Sequence, residues 1–132
     1  MARAGIAFGV TAILLAALDL AHKASVGAVN VHGRSPGYVA LVLGLTTAWT
    51  AAIVAARSLP LALGGGIVAG GALGNLLSLV IWPGVPNPMV VELIAFNLAD
   101  LFVVVGFIGV ALAVLMLAAG RQDRLREPVS LR

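Results

Sequence analysis

The sequence predicts an all-α integral membrane protein of four transmembrane helices, with both termini cytoplasmic and short loops. Three observations carry that reading. The 132 residues are 61% hydrophobic and only 10% charged, with a mean hydropathy of +1.12. A soluble domain of this size has no interior large enough to hide that apolar surface, so most of it must face lipid. The apolar residues fall into four runs, each near the ~20 residues that cross ~30 Å of hydrocarbon. Finally, the basic residues flank those runs rather than interrupting them.

The first span is read from Gly5 to Ala21 and the second from Gly37 to Ala56. The third runs from Leu59 to Trp82 and the fourth from Leu93 to Ala119. Arg34-Ser35-Pro36-Gly37 opens the second span, and Arg57-Ser58-Leu59-Pro60 turns the chain into the third. Trp82-Pro83-Gly84-Val85-Pro86-Asn87-Pro88 cannot be helical, because its three prolines remove donors and fix φ. It reads as a rigid outer loop with Trp82 as an interface anchor.

An even number of spans puts both termini on one side. Arg3, Arg57, Arg121, Arg124, Arg126 and Arg132 share that side, while only Lys23 and Arg34 lie opposite. The positive-inside rule then makes the termini cytoplasmic. Residues 1–120 form the four-helix domain and 121–132 a charged cytoplasmic tail, in which Asp123 and Glu127 alternate with arginines. Arg3, an apolar run and small residues near Ala24 imitate a cleaved signal peptide. Asp19 inside the run and the three spans after it argue for a retained first helix.

Composition removes several function classes. There is no cysteine, hence no disulfide and no thiolate chemistry. The net charge of +3 does not gather among aromatics, so no nucleic-acid partner is expected. Gly64-Gly65-Gly66 and Gly70-Gly71 precede no lysine and lie inside a span, which rules out a phosphate loop. His22 and His32 have no donors at ligand spacing, so neither a metal nor another cofactor is expected. No serine has a histidine and an acid placed for a triad.

The remaining acids are Asp19, Glu92 and Asp100. Topology puts all three in one depth band near the outer leaflet. An ionisable group at that depth is expensive and is a functional candidate by default. Asn97 and Asp100 are three residues apart on the fourth helix and so share a face. Glu92 stands where the outer loop meets the fourth helix; if that helix began before Glu92, the two carboxylates would lie on one stripe about 12 Å apart at 1.5 Å rise per residue. A break between Val91 and Phe96 would be needed to bring it closer. Simpler roles exist for the same residues. Asp19 and Lys23 have the spacing of an intrahelical ion pair. Asn75 and Asn97 suit interhelical hydrogen bonds, and Gly66, Gly70 and Gly74 form a small-residue stripe for close packing.

Gly70-Gly71-Ala72-Leu73-Gly74-Asn75 and Phe96-Asn97-Leu98-Ala99-Asp100 resemble the third- and fourth-helix motifs of signal peptidase II, the lipoprotein signal peptidases. Leu18-Asp19 with Lys23 resembles that family's first-helix pair, and Val90-Val91-Glu92-Leu93-Ile94 the segment bearing its second catalytic acid. The resemblance implies a membrane aspartyl endopeptidase of the bacterial-type cytoplasmic membrane, with an extracytoplasmic site and no cofactor. Asp100 and Glu92 would be the catalytic pair. One carboxylate keeps a proton and serves as acid while the other activates water. Asn97, Asn75, Asp19, Lys23 and Ser78 would orient acids or substrate. The substrate implied is a lipid-modified prolipoprotein or its signal peptide, cut before the lipidated cysteine, with membrane lipids as surroundings.

Four departures accompany the resemblance. Ser78 and Leu79 stand where the family has Asp-Arg, and a glutamate replaces the second aspartate. Only Leu93 to Ala99 separate the two acids. Ala24 to Pro36 offers about a dozen residues where the family has a β-rich platform, too few for a sheet. Two alternatives therefore stand beside the peptidase. One is a non-catalytic subunit that binds lipidated or helical membrane partners. The other is a small proton-coupled transporter using Asp100.

Overall fold

The computed structural model describes residues 2–26 and 30–126. Glu127 and Arg132, read as part of the tail, lie outside the described residues. Four helices dominate: α1 (Ala2–Val26), α2 (Pro36–Ala55), α3 (Leu59–Ile81) and α4 (Leu98–Arg126). Each is long and apolar enough to cross a membrane, so the chain is a multi-pass membrane protein.

The local reasons are visible. Ser35 caps α2 by accepting from the Tyr38 amide at 3.3 Å, with Pro36 at the first helical position. Arg57 takes a positive φ of 52° to turn the chain tightly into α3. The bounds of α2 and α3 lie within one residue of those expected, while α1 extends further at both ends.

The fourth span and the loops depart from expectation. α4 begins at Leu98 rather than Leu93 and continues to Arg126, so helix runs into the first half of the expected tail. The residues before it form β2 (Val85–Asn87), β3 (Met89–Val91) and β4 (Ile94–Phe96), and the loop after α1 contributes β1 (Asn30–His32). β3 and β4 make an antiparallel hairpin, with Met89 opposite Phe96 and Val91 opposite Ile94. Val90, Val91 and Ile94 are β-branched and favour strand over helix. Glu92, with φ 53°, makes the turn. The first loop is too short to fold on itself, but β1 pairs antiparallel with β2 from the proline-rich segment, Asn30 opposite Asn87.

α3 is the centre of the bundle, packed extensively along α1 and α4, with α2 leaning on it more lightly. Its glycines permit the approach. A Cβ on Gly66 would lie 2.8 Å from the Phe8 carbonyl oxygen of α1, and one on Gly64 2.9 Å from the Val110 amide of α4. A Cβ on Gly71 would strike the Ala99 carbonyl oxygen. In lipid no hydrophobic force drives helices together, so such close contact supplies the attraction. Phe8, Ala12, Ile53, Leu61, Ala62 and Ala69 form the core. Trp49 anchors α2 by donating its indole N–H to the Gly65 carbonyl at 3.1 Å and by an edge contact with Phe107 of α4 at 5.3 Å.

Candidate functional site

At the end of the bundle where α1 and α3 finish and α4 starts, polar side chains from all three helices converge. Asp19 is fully buried and Lys23 is 1% exposed. The Lys23 ammonium donates to Asp19 Oδ2 at 2.6 Å, Asn75 Oδ1 at 2.9 Å and Ser78 Oγ at 3.0 Å, which uses all three of its hydrogens. Ser78 donates in turn to the Gly74 carbonyl at 2.7 Å. A Cβ on Gly74 would sit 2.6 Å from Asp19 Oδ2, so only glycine lets the ion pair lie flat against α3. A buried charge is tolerable only when paired and hydrogen-bonded, and this one is both.

Asn97 and Asp100 form a reciprocal cap at the start of α4. Asn97 Oδ1 accepts from the Asp100 amide at 3.1 Å, and Asp100 Oδ2 accepts from the Asn97 amide at 3.1 Å. Asn97 is thus the residue before the helix and Asp100 its third, the arrangement of a capping box. The Ala99 amide, another unpaired donor of that first turn, is taken by Asp19 Oδ1 of α1 at 3.0 Å. The negative charge of Asp100 also complements the positive end of the helix dipole. Asn97 and Asp100 therefore meet by capping, not by sharing an interior helix face.

The orientation of every amide in the cluster follows from its neighbours. Lys23 only donates, so the atom of Asn75 facing it is oxygen. The Asn75 Nδ2 then donates to Asp100 Oδ1 at 3.0 Å. The Asp100 amide forces Asn97 to turn its oxygen inward, leaving Asn97 Nδ2 for Asn75 Oδ1 at 3.0 Å, Asn87 Oδ1 at 2.6 Å and the Pro86 carbonyl at 3.3 Å. Asn87, on β2, is 5% exposed. It ties the strand to the cluster and stands 3.1 Å from His32 Nδ1 on β1. Sequence reasoning missed Asn87; its only signal was an asparagine in a segment whose prolines cannot donate.

Of the seven residues singled out, the structure joins six: Asp19, Lys23, Asn75, Ser78, Asn97 and Asp100. Glu92 is not among them. It sits exposed in the turn of the β3–β4 hairpin, beside Leu93, which is 100% exposed. The break between Val91 and Phe96 exists, but the hairpin places Glu92 at its far tip, three strand residues (roughly 10 Å) from the start of α4. There it lines a separate cavity of about 560 Å³ with Asn30 and His32.

Asp100 faces a different cavity, of about 390 Å³, between α2, α3 and α4. Arg34 and Tyr38 stand on its α2 side, with the guanidinium 5.1 Å from the Tyr38 ring centre, a cation–π contact. Val42, Val68, Leu76, Leu79 and Val103 supply apolar walls. A second cavity, of about 430 Å³ and almost wholly apolar, continues it past Val68 and Ala72 to Trp49 and Phe107. Together they make a groove that is polar at the Arg34–Asp100 end and apolar toward the Trp49–Phe107 contact. Among the described residues, no group of three or more His, Asp or Glu side chains could hold a metal ion.

Compared with protein-family models, curated proteins and solved structures, the chain matches none.

Proposed function

We propose that this chain is a signal peptidase II-like membrane protein that receives an apolar, lipid-bearing membrane segment in the Asp100 groove and holds it without cutting it. The observation that carries this reading is the single carboxylate of the groove. Among the described residues, Asp100 lines it and no other acid does. Both Asp100 oxygens already accept hydrogen bonds, one from Asn75 and one from the α4 cap. Peptide hydrolysis by acids needs one carboxylate to activate water and another to protonate the leaving amine. Asp19 does not supply the second, because it is fully buried, paired with Lys23 and does not line the groove. Glu92 lines another cavity. What remains is a groove with apolar walls and a few placed polar groups, the composition of a ligand site. On the arginine distribution, we place it on the extracytoplasmic side of a bacterial-type cytoplasmic membrane.

The test is direct. Purified protein in detergent is mixed with a lipid-modified prolipoprotein peptide carrying a photocrosslinker. Attachment to Leu76 or Val103 with the peptide mass unchanged is the expected result. A product cut before the lipidated cysteine, abolished in both Asp100→Asn and Glu92→Gln, would replace this reading with an active aspartyl peptidase. No attachment at all would remove the binding role.

A further inference from the structure

The groove has a head and a tail, and the charges at its head differ in sign. Arg34 is exposed, stands two residues before α2 begins, and makes no ion pair among the described residues. Asp100 is half-buried on the opposite wall. Below them, from Val42 to Trp49, the lining turns apolar. From Pro36 to Trp49 is about 20 Å along the helix at 1.5 Å per residue. One leaflet of a ~30 Å hydrocarbon core is about 15 Å deep. The groove is therefore about 5 Å longer than one leaflet's hydrocarbon is deep, which leaves its charged end at the level of the headgroups when its apolar end reaches the bilayer middle.

We infer that the groove is a phospholipid site selective for a zwitterionic headgroup with a primary ammonium, that is, phosphatidylethanolamine. The inference rests on the groove being a binding site but not on which protein segment visits it. The phosphate takes the Arg34 guanidinium, whose planar fork suits phosphate oxygens. The ammonium takes Asp100, whose two oxygens each keep a lone pair beyond the bonds they already accept. One acyl chain follows Val42, Leu76 and Val103 toward Trp49. Charge complementarity decides among lipids. A phosphatidylglycerol headgroup satisfies Arg34 but brings no cation to Asp100. A choline headgroup brings a cation with no N–H to donate.

Native mass spectrometry of the full chain tests this. The protein is exchanged into micelles with vesicles of phosphatidylethanolamine, phosphatidylglycerol and phosphatidylcholine in equal parts. The expected spectrum retains one phosphatidylethanolamine in preference to the others. Arg34→Gln, at an exposed position, lowers retention of every phospholipid by roughly tenfold, the loss of one charge-assisted contact. Asp100→Asn lowers phosphatidylethanolamine retention to the level of phosphatidylglycerol, removing the preference. Equal retention of all three lipids by the unaltered protein, or retention indifferent to Arg34→Gln, overturns the proposal. Failure of the lipidated peptide to crosslink bears on the earlier reading alone, since it leaves the lipid spectrum unchanged.

Discussion

The two halves of α3 meet their neighbours by different physics. From Gly64 to Gly71 the helix is held by shape: missing side chains let the Phe8 and Ala99 carbonyls and the Val110 amide come within contact of its backbone. From Gly74 to Ser78 it is held by hydrogen bonds, through Asn75 and Ser78 to Lys23 and Asp100. The first half has many weak contacts and, toward α1 and α4, no polar side-chain partner; its one such bond comes from Trp49 of α2 to the Gly65 carbonyl. The second has a few strong ones, and each leaves a buried orphan if its partner goes. Damage to the first half should scale with volume, and damage to the second with charge.

The sharpest test of that contrast is Lys23→Met. It strands the fully buried Asp19 carboxylate and should cost about 3–5 kcal/mol of unfolding free energy in detergent. Adding Asp19→Asn, which removes the orphan charge yet leaves an oxygen for the Ala99 amide, should recover most of the loss. If the double variant is as unstable as the single, the ion pair is not what organises this end. Next comes Gly71→Ala, where the added methyl strikes the Ala99 carbonyl; about 1–3 kcal/mol should be lost. Gly109→Ala is its control, since a Cβ there lies 3.6 Å from Gly64 in ordinary contact, and its melting temperature should match the parent. Asp100→Asn should cost about 1 kcal/mol, because an amide cannot accept from both Asn75 and the Asn97 backbone. Amide hydrogen exchange should place that loss in the first turn of α4. Apart from the Gly109→Ala control, the smallest effect is expected at Glu92→Gly, outside both halves. Relief of a positive φ should raise stability by about 0.5–1 kcal/mol in denaturant titration, whereas a loss would show that Glu92 makes a contact the hairpin needs.

The spans were legible because hydropathy and helix length are both set by the bilayer, and the tight Arg57 turn was marked by Ser58 and Pro60. The β-strands were not, because each is only three residues long, below the reach of any periodicity. Val90, Val91 and Ile94 carry strand propensity, yet hydropathy merges them with the apolar run of α4. That merger also hid the cap. Asn97 and Asp100 have capping-box spacing ahead of an apolar run, but Leu93 to Phe96 looked like helix already begun. The site residues of α1, α3 and α4 were readable as scarce polar groups at one depth. The separation of Glu92 from Asp100 was not, since it depends on which way a two-residue turn points.

The row of amides reaches the surface at His32. Asn87 spends its oxygen on Asn97, so its NH₂ faces the ring, and His32 Nδ1 must offer a lone pair. That contact favours the tautomer with its proton on Nε2. Nitrogen-15 chemical shifts distinguish the two tautomers without touching the buried residues. An exposed ring thus serves as a remote gauge of whether the first turn of α4, several side chains away, is closed.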